Sequence, residues 1–336
     1  MGLSIGASSI KVAELSKKKN VWTLEKFGMV PLVEGTSENR DLINTPAITN
    51  AIKSALAQAK INSKEVCAAI VGSGLIIKNL TIVVTDEKEL QDQVFWEAEQ
   101  YIPFDIGDVV LDYQVVKRRG SDYDVILVAV KKGFLDQYMG VVEEAKLKPK
   151  IMDAEVFALQ NVFETNYAVS TTEAMLLADV GALSTKILIC AGGIPLFIKD
   201  ASYGGMLITQ EIQRELRVSM ADAEALKVSE NLPREVNDII SRMNQVLATE
   251  LKKAIDYYTA SSLGPPVIGI LVTGGGARAP SITAVIEQYT NLPTQLLNPF
   301  LRVQGNSKTL TQDYLASITP EVTIPMGLAI RAGDAP

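Results

Sequence analysis

Gly2-Leu3-Ser4-Ile5-Gly6-Ala7-Ser8-Ser9-Ile10-Lys11 opens the chain, and Ala178-Asp179-Val180-Gly181-Ala182-Leu183-Ser184-Thr185-Lys186 returns roughly half a chain later. Setting Ser4 against Asp179 brings Gly6 onto Gly181, Ala7 onto Ala182, Ser9 onto Ser184 and Lys11 onto Lys186. Each copy is a turn of small residues followed by an apolar run, Ile10 to Leu15 and Ile187 to Cys190, so each reads as a β-hairpin. A turn without bulky side chains lets backbone N–H groups and hydroxyls come close to a phosphate. Two such turns from two similar halves can grip one polyphosphate from opposite sides. The pattern implies a duplicated nucleotide-binding architecture.

The 336 residues suffice for two domains with cores of their own, and 47% hydrophobic content excludes a disordered chain. A net charge of −7, with no dense block of Lys and Arg among aromatics, argues against a nucleic-acid binder. Lys17-Lys18-Lys19 and Lys117-Arg118-Arg119 fall where hairpin turns are expected and read as solvated turns. Cys67 and Cys190 lie in apolar, strand-like runs and read as buried reduced thiols, which suits a cytoplasmic protein. The absence of histidine removes Ser-His-Asp triads, histidine general bases and most transition-metal sites. Carboxylates, lysine, hydroxyls and Mg²⁺ remain. No apolar run reaches the ~18 residues of a membrane helix, and the N-terminus has no signal-peptide pattern. The first turn follows only a few residues of chain. Either the opening strand is short or the natural N-terminus was trimmed.

Outward from the first turn, strands are expected near 2–5, 10–15 and 21–30. A helix follows from Pro46 to Ala59, whose Ile48, Ile52, Ala55, Leu56 and Ala59 keep helical spacing. A strand over Val66 to Val71 ends at Gly72 and Gly74. Residues 75–152 then read as β-α-β-β-α-β, a ferredoxin-like unit inserted into the first domain, and a helix from Ala154 to Tyr167 returns to the parent. The second domain is expected from 171 to 321, with strands at 175–179, 185–190 and 195–199 and a helix opening at Gly204-Gly205. Two more helices follow, over 221–229 and 233–258. The buried strand Val267 to Val272 leads into Thr273-Gly274-Gly275-Gly276-Ala277-Arg278-Ala279-Pro280 and a further helix. The first domain is then 1–170 plus 322–336, the apolar closing segment Val322 to Ala332 packing back onto it. Three glycines between a buried strand and a helix start let a flat ligand lie against backbone. Alone such a turn is often only a tight turn. In order after two hairpin turns it carries more weight.

At this point the chain resembles the actin/Hsp70/sugar-kinase superfamily over essentially its whole length. The inserted unit narrows the likeness. Glu97-Ala98-Glu99-Gln100-Tyr101-Ile102-Pro103-Phe104-Asp105, followed by Val110-Leu111-Asp112-Tyr113, is similar to the signature of the PilM family of type IV pilus assembly proteins. Phe157-Ala158-Leu159-Gln160-Asn161 and Met326-Gly327-Leu328-Ala329-Ile330-Arg331 are similar to that family as well. The resemblance implies an α/β, actin-like two-domain fold with ATP and Mg²⁺ in the cleft between the domains. It makes Gly6, Ala7, Ser8, Ser9 and Lys11 the first phosphate loop, and Asp179, Gly181, Ser184 and Thr185 the second, with Asp179 holding the waters of the metal. Gly204 and Gly205 start a helix beside the nucleotide. Glu224 and Lys227 fall at the ribose and base, and Gly274, Gly275, Gly276 and Arg278 line the adenosine.

One departure stands out: the family has Asp where this chain has Ser4. Loss of that carboxylate weakens hydrolysis more than binding, so ATP binding with weak or no turnover is expected; a harmless packing change is the other reading. A water-positioning carboxylate would then come from Asp153 or Glu155, each of which also reads as a plain acid at a helix start. The resemblance further implies a partner, the N-terminal cytoplasmic peptide of the inner-membrane protein PilN, held in a groove between the inserted unit and its parent. Other inner-membrane pilus proteins and self-association belong to the same expectation. So does a cytoplasmic location, peripheral to the inner membrane through a partner. Tyr101, Ile102, Pro103 and Phe104 match the family segment near the groove, or simply close the unit's core. Asp105 and Asp108 read as turn caps. Two alternatives stay open: a small-molecule kinase of the superfamily, disfavoured by Ser4, and a cell-division filament protein of the FtsA type. The latter ends in an amphipathic membrane helix, which Arg331-Ala332-Gly333-Asp334-Ala335-Pro336 cannot form.

Overall fold

A computed structural model of the chain describes residues 1–33, 36–38, 41–261 and 263–334. The expected end of the first domain at 335–336 therefore lies outside the described residues. Three strands open the fold, β1 (Gly2–Ile5), β2 (Ser9–Lys18) and β3 (Val21–Pro31), and each pairs antiparallel with the next. Lys19 and Asn20 turn β2 into β3 with φ of 48° and 64°, the left-handed pair that matches the twist of a tight hairpin. Of the lysine run only Lys19 is in the turn; Lys17 and Lys18 end β2, paired with Trp22 and Val21. Two short strands, β4 (Ser37–Glu38) and β5 (Asp41–Leu42), lead to α1 (Thr45–Gln58). Its N-cap Asn44 accepts from the Ala47 N–H at 3.1 Å, and its buried Ile48, Ile52 and Ala55 cover the hairpin. β6 (Glu65–Ile70) then lies parallel to β1.

The inserted unit is smaller than the sequence order suggests. β7 (Leu75–Val83), α2 (Leu90–Tyr101), β8 (Val109–Arg119) and β9 (Asp122–Lys131) form a three-stranded sheet, order β7-β9-β8, with one helix on it. Ile82, Leu90, Val94, Ala98, Val125 and Leu127 give it a core of its own. The next two elements, α3 (Lys132–Glu144) and β10 (Lys148–Ala154), belong to the parent. Tyr138, Val141 and Val142 of α3 join Ile48, Ile52 and Val66, and β10 pairs parallel with β6 from Lys148↔Glu65 to Ala154↔Ile70. The β-α-β-β-α-β reading of 75–152 is thus corrected to a β-α-β-β insert. Element order alone does not say which sheet edge the last strand joins.

After α4 (Glu155–Asn166) the plan repeats. β11 (Ala174–Val180), β12 (Thr185–Ala191) and β13 (Ile194–Ala201) form an antiparallel meander. Helices α5 (Gly205–Leu216), α6 (Met220–Lys227) and α7 (Arg234–Ala260) follow. β14 (Val267–Thr273) then pairs parallel with β11, and β15 (Thr294–Leu296), after α8 (Ile282–Thr290), pairs parallel with β14. The second sheet runs β13-β12-β11-β14-β15, and five successive strands of the six-stranded first sheet, β10-β6-β1-β2-β3, mirror it in element order. The duplication read from two turns extends to whole sheets.

The chain rejoins the first sheet earlier than expected. β16 (Gln304–Gly305) pairs with β3 at Gln304↔Thr23, and α9 (Gln312–Asp334) follows. α4 and α9 lie between the sheets: Leu159, Val162, Val322 and Met326 pack with Cys67 and Ala69 of the first sheet and with Leu177, Leu188 and Leu271 of the second. The closing apolar segment packs on the first sheet and, beyond the expectation, on the second as well. Among the described residues no helix is long and apolar enough to cross a membrane.

Candidate functional site

The two quoted turns face each other across a cleft of about 750 Å³, counting its open mouth. Their closures match. The Gly6 N–H donates to the Ser9 carbonyl at 3.1 Å, and the Gly181 N–H donates to the Ser184 carbonyl at 2.9 Å. A Cβ at either glycine would crowd that carbonyl, at 3.1 Å and 3.0 Å, so small size rather than unusual φ is what the turns require. Gly6, Ala7, Ser8, Lys11, Asp179, Gly181, Ser184, Gly274 and Gly275 all line the cleft. Ser9 is buried at the start of β2.

Gly274 takes a φ of +88°, and its N–H donates to the Pro320 carbonyl of α9 at 3.0 Å. A Cβ there would fall onto the Asp179 carboxylate, so the glycine turn and the acid can be neighbours only without a side chain. Arg278 grips Glu321 of α9 through two hydrogen bonds, 2.6 Å from Nε and 2.7 Å from Nη2. That pairing, working against partial burial, holds the guanidinium above its ordinary pKa. Lys227 Nζ reaches Glu224 at 2.6 Å, the Thr209 hydroxyl at 2.8 Å and the Gly205 carbonyl at 3.2 Å. A Cβ added to Gly205 would lie 3.8 Å from Lys227 Nζ and 3.9 Å from the Cα of Gly276. These residues form a second cluster beside the cleft, on the α5–α6 side of the second sheet.

Some expected contacts face elsewhere. Thr185 is fully buried and its hydroxyl donates to the Tyr203 carbonyl at 2.8 Å. It is the strand residue between Ser184 and Lys186, and successive side chains in a strand take opposite faces. Gly204 and Gly205 brace the second turn from behind: Gly205 and Met206 donate to the Gly181 and Ala182 carbonyls at 2.9 Å and 2.8 Å. Asp153 is not among the cleft-lining residues. One oxygen accepts from the Ala154 N–H at 2.8 Å, and the other is buried 4.0 Å from Arg331 of α9. Burial raises its pKa above the usual carboxylate range, with that N–H and Arg331 opposing.

Glu155 does line the cleft, and both of its oxygens are engaged. Ser4 Oγ donates to Oε1 at 3.0 Å, and Lys186 Nζ lies 2.5 Å from Oε2. The same ammonium is 3.7 Å from Oδ2 of Asp179. All three charged side chains are buried, the lysine 12% exposed. Burial works to lower the lysine pKa, but Glu155 and Asp179 outweigh it and hold the ammonium charged. Burial pushes Asp179 upward, with Lys186 opposing and Glu155 adding. Lys186 was visible as the repeat partner of Lys11, yet its place in the site was missed. Glu321 carried no sequence signal. Among the described residues no cluster of three or more Cys, Asp or Glu side chains could hold a metal ion. With an ammonium already between its two acids, the site does not fit a divalent cation at Asp179.

On the inserted unit, Ile102 is buried in the core while Tyr101 is 47% exposed and Pro103 is exposed. Phe104 packs against that core under Lys131, whose Nζ is 5.2 Å from the ring centre. Asp105 caps its turn by accepting from the Gly107 N–H at 2.8 Å. Phe95 and Trp96, which sequence reasoning passed over, line a shallow depression with Asp92, Glu99, Ile106 and Leu111.

Two matching sheets, a helix pair between them and facing turns at the cleft define an actin-like protein. Three solved structures share its course. MreB5 of Spiroplasma citri bound to ADP is 13% identical with a TM-score of 0.50, over 89% of this chain and 92% of that one. The ethanolamine utilization protein EutJ from Carboxydothermus hydrogenoformans is 13% identical with a TM-score of 0.59, over 98% and 88%. A PilM–PilN type IV pilus biogenesis complex is 25% identical with a TM-score of 0.90, over 99% and 98%. A family model described as type IV pilus assembly protein PilM matches residues 2–333. The chain belongs to the PilM family of type IV pilus assembly proteins.

Proposed function

We propose that this chain is a nucleotide-binding scaffold of a type IV pilus assembly machine, and that it takes the N-terminal cytoplasmic peptide of PilN as its partner. The observation that carries this is the near-complete match, at a TM-score of 0.90, to a chain solved in a PilM–PilN complex. The facing turns around Gly6 and Gly181, and an ADP-bound protein of the same fold, support the nucleotide. Lys11 and the turn N–H groups meet the phosphates, while Gly205, Glu224, Lys227 and Gly276 flank the nucleoside. Glu155, with both oxygens engaged, is poorly placed to activate a water, so hydrolysis is weak or absent.

The partner peptide lies against the inserted unit, where extended backbone and apolar side chains suit such a ligand. Through that peptide the chain is held at the inner membrane, in reach of other assembly proteins and of further copies of itself. Nucleotide biases the relation of the two sheets and hence the affinity for the peptide, a linkage between two sites.

Calorimetric titration of the full chain with the PilN peptide of the same organism, with and without ATP, tests this. Micromolar binding (about 8 kcal/mol) is expected, with an affinity that shifts on adding ATP. Absence of binding in both states would overturn the partner assignment.

A further inference from the structure

The cluster of Glu155, Asp179 and Lys186 bears on how any nucleotide is held. Its charges come from both halves of the molecule: Glu155 opens α4, and Asp179 and Lys186 stand on neighbouring strands of the second sheet. Lys186 pairs with Asp179 in the strand register as Lys11 pairs with Ser4. At the first turn the acid is missing, and at the second the lysine leans 2.5 Å onto Glu155, the carboxylate that also takes the Ser4 hydroxyl. Through space, half-buried Lys11 acts on Asp179 and exposed Asp200 acts on Lys186. The ammonium already stands between the two buried acids. A divalent cation at Asp179 would have to push the ammonium out from between the two acids, or sit beside it and repel it.

We propose that the Lys186 ammonium takes the place of the divalent cation, so that the cleft binds the phosphate chain of a nucleotide as the metal-free anion. This rests on the nucleotide-binding reading above. Lys186 is held at hydrogen-bond distance by Glu155 and lies 3.7 Å from Asp179, so its remaining N–H donors and the Lys11 ammonium meet phosphate oxygens without a metal bridge.

The test is calorimetric titration of the full chain with ATP, in EDTA and again with millimolar Mg²⁺. Binding in EDTA is expected to be as tight as with Mg²⁺ or tighter, because the metal complex of ATP becomes the dominant species once Mg²⁺ is present. Tightening by Mg²⁺ beyond about threefold (roughly half of the 1.4 kcal/mol of a tenfold step) overturns the proposal and leaves nucleotide binding standing. No ATP binding under either condition overturns the nucleotide reading itself. In Lys186→Gln, Mg²⁺ is expected to become favourable, tightening ATP by about tenfold; continued indifference to Mg²⁺ would deny the lysine its role. Should that variant fail to fold with Glu155 unpaired, the double variant Glu155→Gln/Lys186→Gln removes both charges, and the wild-type comparison stands without either.

Discussion

Asn79 on the inserted unit holds Leu196 on the second sheet: its side-chain Nδ2 donates to the Leu196 carbonyl at 3.1 Å and to the neighbouring Pro195 carbonyl at 2.9 Å. β13, which carries both carbonyls, is paired along its length with β12, and β12 begins at the second phosphate turn. A relative movement of the two sheets must break or drag this fork. Asn79→Ala should cost little stability, about 1 kcal/mol for two partly exposed hydrogen bonds. It should abolish any difference in peptide affinity between nucleotide-free and ATP-loaded protein. Peptide titrations of wild type and variant decide it; an unchanged ATP effect in the variant would place the coupling elsewhere.

Ser4 fits its position as a hydroxyl donor. Ser4→Ala should lose about 1 kcal/mol, the worth of one buried hydrogen bond. Ser4→Asp, which copies the acid that Asp179 supplies at the second turn, should destabilise more, by about 2 kcal/mol, because a second carboxylate would face Glu155 at hydrogen-bond distance. The introduced carboxyl would carry a raised pKa in the folded state. Its penalty is then absent at low pH and grows as pH rises through the ordinary carboxylate range. Urea unfolding of both variants at pH 7 and pH 5 checks the order and the sign; a Ser4→Asp protein more stable at pH 7 than wild type would contradict it.

The thiols of Cys67 and Cys190 are both pushed up to about 12 by burial, the neighbouring acids adding to it. A group with a raised folded pKa contributes stability below its unfolded pKa and loses it as pH climbs toward the folded one. The window here runs upward from about 8.5, the free-thiol value. Native protein at pH 8 should resist iodoacetamide at both positions, and unfolded protein should label fully. Mass spectrometry of the two samples reads this directly. Stability should fall between pH 8.5 and pH 10 (roughly the span in which an unfolded thiol ionises), and a Cys67→Ala/Cys190→Ala double variant should show a shallower fall.

What was legible in the sequence divides along a physical line. The facing turns were readable because a tight turn is a local event written in small residues, and Gly6 and Gly181 sit where an added Cβ would crowd a carbonyl three residues on. The partner of a strand is a long-range event. The run from Lys148 to Ala154 therefore read as a strand without revealing that it joins β6 instead of closing the insert. Thr185 was readable in principle, since period-two alternation puts it on the face opposite Ser184 and Lys186. Lys186 was in plain view as a repeat position, but an ion pair to a helix that begins 31 residues earlier leaves no local trace.

The crossing of α4 and α9 offers a prediction in which two equal substitutions carry opposite signs. Gly327 lies under the backbone of Ala158, and a Cβ there would fall onto the Ala158 carbonyl oxygen, with the carbonyl carbon 2.6 Å away. Backbone cannot yield as a side-chain tip can, so the helices would have to part, and with them the core that joins both sheets. Gly140 is also within a helix, α3, but a Cβ there meets nothing within 4 Å. Alanine is the better helix former by about 1 kcal/mol. Gly140→Ala should therefore stabilise by about 0.5–1 kcal/mol through the unfolded chain. Gly327→Ala should destabilise by about 3 kcal/mol, overpacking overwhelming that gain. Chemical unfolding of the two variants beside wild type reads both signs. A stabilised Gly327→Ala protein would mean that α4 and α9 do not cross this closely.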